Sequence, residues 1–116
     1  MNTSRCWALV LAAGSGTRVG GEIPKQYLEI AGVPILTHSL KRLAAVHRID
    51  AIFVGISETD EHWQKFVLPQ GLDVVGYIGG QSRAETVWLG LTALQKYASP
   101  DDWVLVHDAA RPCVQV

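Results

Sequence analysis

The sequence predicts an α/β protein in which a mostly parallel sheet carries helices on both faces. Apolar runs of strand length alternate along the chain with stretches in which apolar residues recur at helical spacing. The first run, Cys6–Ala12, is apolar at nearly every position, which is typical of a strand covered on both sides. The chain has 116 residues, of which 48% are hydrophobic, and this is enough for one core but not for two.

The strands are assigned to short apolar runs bounded by Gly, Pro or Asp. They are Cys6–Ala12, Asp50–Ser57, Asp73–Ile78 and Trp103–Val106. Because helical stretches separate them, we expect these strands to pair in parallel.

Helices are predicted in the three intervals between the strands. The first begins at Pro34, and a short second one is expected over Asp60–Phe66. Ser82 and Glu85 form a capping box at the start of the third. The predicted apolar face of the first helix is Leu36, Leu40, Leu43 and Ala44, and that of the third is Ala84, Val87, Trp88, Leu91 and Leu94.

Charge, hydropathy and cysteine content exclude several classes of protein. The net charge is −1 with no block of Lys or Arg, which argues against a nucleic-acid partner. The longest apolar stretch is too short to cross a bilayer, and glycines follow it instead of a cleavage site, so neither a membrane nor a secretory signal is expected. Two cysteines, Cys6 and Cys113, are too few for a disulfide framework. We expect a cytoplasmic protein.

Three polar segments each follow a predicted strand directly. They are 13–25, 79–86 and 108–111. Ligands of open α/β sheets bind beyond the carboxyl ends of the strands, so we expect the three segments to meet at one binding site.

The first segment combines flexibility with positive charge. Arg18 and Lys25 could neutralise charge that develops on a phosphorus during displacement. The spacing matches neither a Walker loop nor a dinucleotide fingerprint, where Val19 replaces the third glycine. An ordinary strand-to-helix turn is the alternative. The residues that would let backbone N–H groups approach a phosphate chain are Gly14, Gly16, Gly20 and Gly21.

The second and third segments offer a base contact and a carboxylate. Gly80 allows close backbone approach to a base, with Arg83 and Thr86 facing the site, although Gly79-Gly80 alone also fits a simple turn. Arg83 stands at a helix start, where a cation needs a negative partner. Asp108 suits a ribose hydroxyl or a magnesium ion, or else a helix N-cap.

The motifs together resemble a known family of enzymes. LAAGSGTR followed by PKQY resembles nucleotidyltransferases that activate small phosphates or sugars with an NTP. With GGQSRAETV and VHDAARP added, essentially the whole chain resembles the 2-C-methyl-D-erythritol 4-phosphate cytidylyltransferases of isoprenoid precursor biosynthesis. The resemblance implies a Rossmann-like three-layer α/β/α nucleotidyltransferase fold. It also implies attack of the acceptor phosphate on the α-phosphorus of CTP, with Mg²⁺ held mainly by the triphosphate.

The resemblance also assigns roles to residues of this sequence. The catalytic cations would be Arg18 and Lys25. The nucleotide would be lined by Ala12, Ala13, Gly14, Ser15, Gly16, Gly80, Gln81, Arg83 and Thr86. Asp108 and Ala109 would reach the ribose or the acceptor phosphate, with Asp108 as a candidate metal ligand. Gln81 replaces an acidic residue frequent in relatives, and Thr86 replaces a common serine.

Relatives in this family continue well beyond the position of Val116. We therefore expect 1–116 to be the N-terminal, CTP-binding part of a single domain, without the dimerisation arm and C-terminal part of a homodimeric enzyme, and inactive alone. A related alternative is a cytidylyltransferase acting on ribitol 5-phosphate or another sugar or alditol phosphate. A second alternative is a non-catalytic nucleotide-binding domain.

Overall fold

A four-stranded sheet forms the centre of the molecule. A computed structural model of the chain describes residues 4–13, 18–19, 23–46, 49–65, 71 and 73–109. The strands are β1 (Cys6–Ala12), β2 (Arg18–Val19), β3 (Ile23–Pro24), β4 (Glu29–Ile30), β5 (Val33–Pro34), β6 (Ala51–Ile56), β7 (Val74–Ile78) and β8 (Trp103–Asp108). The helices are α1 (Ile35–Val46) and α2 (Arg83–Leu94), and short 3₁₀ turns cover Lys25–Tyr27 and Trp63–Lys65.

The central sheet has the strand order β7-β6-β1-β8, and every pairing within it is parallel. Ala12 pairs with Ile56, and Ile56 pairs with Ile78. On the other side of β1, Leu11 pairs with Asp108. The carboxyl ends of all four strands therefore meet at one edge within about one residue, which confirms the parallel sheet expected from the sequence. The four two-residue strands form two antiparallel ribbons, β2-β3 and β4-β5.

Alternate residues of β1 belong to two separate apolar clusters. Ala8, Val10 and Ala12 pack with the α1 leucines, whereas Trp7, Leu9 and Leu11 pack with Leu94 of α2. Successive side chains of a strand point to opposite faces, so a strand buried on both faces contributes to two cores at once. The result is the three-layer α/β/α arrangement expected from the resemblance. On α1, the predicted apolar face is confirmed by Leu36, Leu40 and Leu43, whose exposed fraction is zero.

The predicted apolar face of α2 is partly wrong. The buried residues of this helix are Thr86, Gly90 and Leu94, while 63% of Trp88 and 40% of Leu91 are exposed. These three buried positions are four residues apart and form a stripe toward the sheet. A search for apolar residues at helical spacing does not detect this stripe, because Thr86 is polar and Gly90 has no side chain.

A capping box consists of two hydrogen bonds, and at the start of α2 one of them is confirmed while the other goes to a different residue. Glu85 donates its backbone N–H to the hydroxyl of Ser82 at 3.1 Å, as a capping box requires. The return bond does not reach Ser82, because the Glu85 carboxylate accepts from the backbone N–H of Gln81 at 2.6 Å. The carboxylate therefore fixes the loop one residue before the cap.

The short helix expected over Asp60–Phe66 is reduced to the turn Trp63–Lys65, and Phe66 lies outside the described residues. The Asp60 carboxylate accepts the N–H groups of His62 and Trp63 at 2.7 and 2.9 Å. An Asp side chain that bonds the backbone two and three residues ahead stabilises a turn in place of a regular helix.

Strand β8 is one of the two outer strands of the central sheet within the described ranges, β7 being the other. Its exposed apolar residues include Trp103, of which 72% is accessible, with Val104 and Val106. An edge strand with unpaired backbone groups and apolar side chains is a template for pairing with another chain. Across the described ranges, neither helix is long and apolar enough to cross a bilayer.

Asp102 fastens the amino end of this sheet. Its carboxylate accepts hydrogen bonds from the indole of Trp7 at 2.9 Å and from the backbone N–H groups of Arg5 and Ser99 at 3.0 and 2.9 Å. The bond from Trp7, followed by the two backbone bonds, lowers the pKa of this carboxyl below its ordinary value of 3.8.

We expect Asp102→Asn to make folding less dependent on pH in acid. A pKa lowered by folding stabilises the protein above the unfolded-state pKa, and this contribution disappears as pH falls through the folded-state pKa. The free energy of unfolding, measured by urea denaturation, should be lower for the variant at pH 7, and the difference between the two proteins should shrink as pH falls below the ordinary carboxyl pKa of 3.8. Asp73→Asn removes an exposed carboxylate from the same sheet edge and is the control. A difference that stays constant from pH 7 to pH 3 would contradict the prediction.

Candidate functional site

The candidate site lies at the carboxyl edge of the central sheet, where two backbone hydrogen bonds continue the strand pairing for one more residue. Gly79 donates its N–H to the carbonyl of Ile56 at 2.8 Å, and Ala109 donates to the carbonyl of Leu11 at 2.9 Å. These bonds fix the first residue of the second predicted segment and the second residue of the third directly to the strand ends. The loops therefore leave the sheet from a rigid base.

A cavity of about 270 Å³ opens at this edge. It is lined by Ala13, Ser57, Glu58, Thr59, Gly79, Gly80 and Gln81. Four of these residues belong to the first and second predicted segments, so the structure brings those two segments together. The three others were missed by the analysis of the sequence.

The missed residues form the loop that follows β6. The hydroxyls of Ser57 and Thr59 lie 3.0 Å apart, and the Thr59 N–H donates to the Ser57 hydroxyl at 3.2 Å. Ser, Glu and Thr in this order match no binding motif. The available signal was position, because this loop follows a predicted strand as directly as the three recognised segments do.

Thr86 supports the cavity from behind. Its hydroxyl accepts the backbone N–H of Gly80 at 3.0 Å, and only 2% of the residue is exposed. A buried hydroxyl that is already engaged acts on a ligand through the backbone that it holds. The contact joins the first turn of α2 to the loop that lines the cavity.

The two glycines after β7 are required by close packing. A Cβ atom at Gly79 would lie 2.5 Å from the Cβ of Ala13 and 2.8 Å from the Thr86 methyl, and one at Gly80 would overlap the Glu85 side chain. Distances this short do not occur between real side chains, so any larger residue would separate the first and second segments.

The backbone N–H groups of the 79–81 loop are all used within the protein. Gly79 donates to Ile56, Gly80 to the Thr86 hydroxyl, and Gln81 to the Glu85 carboxylate. A backbone unit carries one donor and one acceptor. The backbone groups that this loop can offer a ligand are therefore its carbonyl oxygens, and the Gln81 side-chain amide, which lines the cavity, adds a donor and an acceptor.

Arg83 has the negative partner that its position at a helix start requires. Its Nε lies 3.2 Å from Oδ1 of Asp108, and the two side chains are 62% and 31% exposed. An ion pair this exposed contributes little to stability, but it places the second segment beside the third. Ala109 is buried, and its carbonyl accepts a 2.7 Å hydrogen bond from the Ser39 hydroxyl of α1.

The PKQY motif is held at two points, by its glutamine at the end of β1 and by its tyrosine at the loop that follows β6. The Gln26 amide donates to the carbonyl of Ala12 at 3.0 Å, and the Tyr27 hydroxyl donates to the Asp60 carboxylate at 2.6 Å. Burial, followed by the bond to Asp60, holds the pKa of Tyr27 far above its usual range. These contacts anchor the two residues that follow Lys25, and the backbone of Arg18 pairs with that of Pro24.

Some predicted site residues cannot be placed. Gly14, Ser15 and Gly16 lie outside the described residues, as do the side chains of Arg18 and Lys25. In the described part of the chain, no group of three or more His, Cys, Asp or Glu side chains is arranged to hold a metal ion. The predicted segments supply two described carboxylates, that of Glu85, which accepts the Gln81 N–H, and that of Asp108, which is paired with Arg83.

We expect Thr86→Val to destabilise the chain and Thr86→Ser to have a smaller effect. Valine keeps the shape but leaves the half-buried Gly80 N–H without its acceptor, which costs about 1–2 kcal/mol. Serine keeps the hydroxyl and loses one methyl group, at about 1 kcal/mol. Urea denaturation followed by circular dichroism measures both. Equal losses in the two variants would show that the methyl group, and not the hydrogen bond, stabilises this loop.

Comparison with known proteins identifies the family. A family profile described as "IspD: 2-C-methyl-D-erythritol 4-phosphate cytidylyltransferase" matches residues 6–116. The 2-C-methyl-D-erythritol 4-phosphate cytidylyltransferase of Laribacter hongkongensis is 47% identical over 112 residues, a match that covers 96% of this chain and 48% of the relative. That of Thiobacillus denitrificans is 46% identical over 110 residues, covering 93% and 47%.

Solved structures agree with the sequence comparison. The crystal structure of Francisella tularensis 2-C-methyl-D-erythritol 4-phosphate cytidylyltransferase (IspD) superposes with a TM-score of 0.76 at 33% identity, covering 97% of this chain and 48% of that one. The chain thus spans about half the length of the relatives that it matches. The strand-end motifs, the three-layer fold and a profile match over nearly the whole sequence lead to the same conclusion: the chain belongs to the IspD family.

Proposed function

We propose that the protein transfers a cytidylyl group from CTP to 2-C-methyl-D-erythritol 4-phosphate in isoprenoid precursor biosynthesis. The products are 4-diphosphocytidyl-2-C-methyl-D-erythritol and pyrophosphate. The observation that carries the proposal is the cavity at the carboxyl edge of the sheet, where Ala13 of the first motif contacts the loop of the second. Membership of the IspD family supports the choice of substrates. In this proposal, 1–116 is the N-terminal, CTP-binding part of one nucleotidyltransferase domain.

The polarity of the 79–81 loop favours cytosine. The loop offers acceptors, since its three N–H groups are used internally. Cytosine carries an exocyclic amine that can donate to such an acceptor, whereas uracil carries an oxygen at the same place, which would face the carbonyl without a proton. A backbone contact of this kind would favour CTP over UTP.

The transfer itself needs no nucleophile from the protein. An oxygen of the acceptor phosphate attacks the α-phosphorus of CTP, the bond from that phosphorus to the bridging oxygen breaks, and pyrophosphate leaves with the electron pair. Catalysis then consists of positioning and of stabilising the added negative charge. Arg18 and Lys25 are the proposed cations, and the anchors at Gln26 and Tyr27 support the placement of the second.

Mg²⁺ is proposed to accompany the triphosphate. Asp108 supplies one carboxylate at this edge, and that carboxylate is paired with Arg83. The remaining oxygen ligands would come from the phosphates and from water, which is the usual coordination of this ion in nucleotide sites. The ion would neutralise phosphate charge.

Assembly and location stay predictions. A homodimer would require the half of the relatives' length that this chain does not match. A cytoplasmic location and the absence of nucleic-acid and membrane partners rest on composition, charge and hydropathy.

We expect the chain to bind CTP in the presence of Mg²⁺ more tightly than UTP or GTP. One hydrogen bond gained with cytosine and an unpaired carbonyl left with uracil should favour CTP by about tenfold or more. Isothermal titration calorimetry with the three nucleotides measures this preference. Absence of CTP binding by a chain whose circular dichroism shows a folded α/β protein would refute the proposal.

We expect Lys25→Ala in the full-length protein to reduce transfer far more than binding. A cation that acts on charge developing in the transition state should lower kcat by about 10²–10³-fold while the Kd for CTP changes little. Pyrophosphate release with 2-C-methyl-D-erythritol 4-phosphate as acceptor measures the rate, and Lys41→Ala on the exposed side of α1 is the control. An equal loss of binding and rate would make Lys25 only a phosphate anchor, and faster transfer to ribitol 5-phosphate would change the proposed acceptor.

A further inference from the structure

Tyr77 occupies a slot behind the loop that lines the cavity. It lies on β7, two residues before Gly79, and its ring passes between β6 and α2. A Cβ atom at Gly55 or at Gly90 would lie 2.6 or 2.5 Å from the Tyr77 hydroxyl oxygen. One glycine on β6 and one on α2 thus leave the space in which this ring fits.

The hydroxyl of Tyr77 bonds to the residue that holds the loop. It donates to the backbone carbonyl of Thr86 at 2.8 Å, while the Thr86 side chain accepts from the Gly80 N–H at 3.0 Å. Thr86 is therefore fixed from both sides, by a strand residue behind it and by the loop in front. Burial raises the pKa of Tyr77 to about 12, so the hydroxyl keeps its proton and remains a donor at neutral pH.

We propose that Tyr77 is a positioning residue for base recognition, which acts through Thr86 to hold the Gly80 backbone at the cavity. The proposal rests on the proposed function, since it assigns to Gly80 the contact with cytosine. Tyr77 itself lines no part of the cavity at the carboxyl edge. Its effect on a ligand depends on one hydroxyl, which can be removed without changing the packing of the ring.

A second tyrosine on the same face of the sheet provides the matched control. Tyr97 follows α2, its ring lies 6.1 Å from that of Phe53, and 63% of the residue is exposed. Tyr97→Phe removes a hydroxyl far from Thr86. Tyr77→Phe and Tyr97→Phe therefore differ in whether the lost hydroxyl belongs to the chain of contacts that ends at Gly80.

The test measures the loop and the ligand separately. Amide hydrogen exchange at Gly80, followed by NMR in the chain without nucleotide, should accelerate by about threefold to tenfold in Tyr77→Phe and stay unchanged in Tyr97→Phe. The affinity for CTP should fall by a similar factor, about threefold to tenfold, and the preference for CTP over UTP should fall with it. Exchange at core amides such as that of Leu40 is the internal reference for general destabilisation.

Three results would decide between the roles of Tyr77. Unchanged exchange at Gly80 in Tyr77→Phe would overturn the proposal, and so would exchange that rises equally at Leu40, because the hydroxyl would then stabilise the whole fold. Faster exchange at Gly80 with an unchanged preference for CTP over UTP would also overturn it, because the loop would then not read the base. If the unaltered chain binds no CTP, the proposed function fails, whereas faster exchange at Gly80 alone would still support the link from Tyr77 to the loop.

Discussion

The structure depends on the placement of β1 between two parallel partners. Its backbone pairs with β6 on one side and with β8 on the other, and its side chains enter both apolar clusters. A shift of one residue in its register would exchange the residues that face α1 and α2, which the different sizes of Ala8 and Trp7 forbid. The same register aligns the strand ends, so the packing of the core also decides where the site forms.

The elements predicted correctly are those in which apolar residues alone fill the buried positions. The four strands are apolar runs, and the leucines of α1 repeat with the helical period, so hydropathy alone indicates them. In α2, the sheet-facing stripe contains a threonine that bonds a loop and a glycine that accommodates Tyr77. No hydropathy pattern distinguishes such residues from surface positions, and Trp88 and Leu91 offered a more regular stripe that is in fact exposed.

The site was predictable where backbone geometry imposes a residue type. Glycine at 79 and 80 follows from close packing, and the position of each motif after a strand follows from the topology. The contribution of Ser57–Thr59 was not predictable from residue type, because hydroxyls in a short loop are common wherever a chain turns. The bond from Gln26 to Ala12 joins residues 14 apart and has no spacing signature at all. Contacts of this kind are defined by the tertiary structure and not by the local sequence.

The 79–81 loop uses its three backbone N–H groups for internal bonds, and the Glu58 carboxylate belongs to the lining of the same cavity. A triphosphate is repelled by such a surface, even though the start of α2 would otherwise attract an anion. In the proposed complex, the phosphates of CTP would thereby be directed away from α2, toward the end of β1 and the proposed cations of the first motif. In that complex, the polarity of a single loop would give the nucleotide one direction across the sheet edge, with its base over β7 and its phosphates over β1.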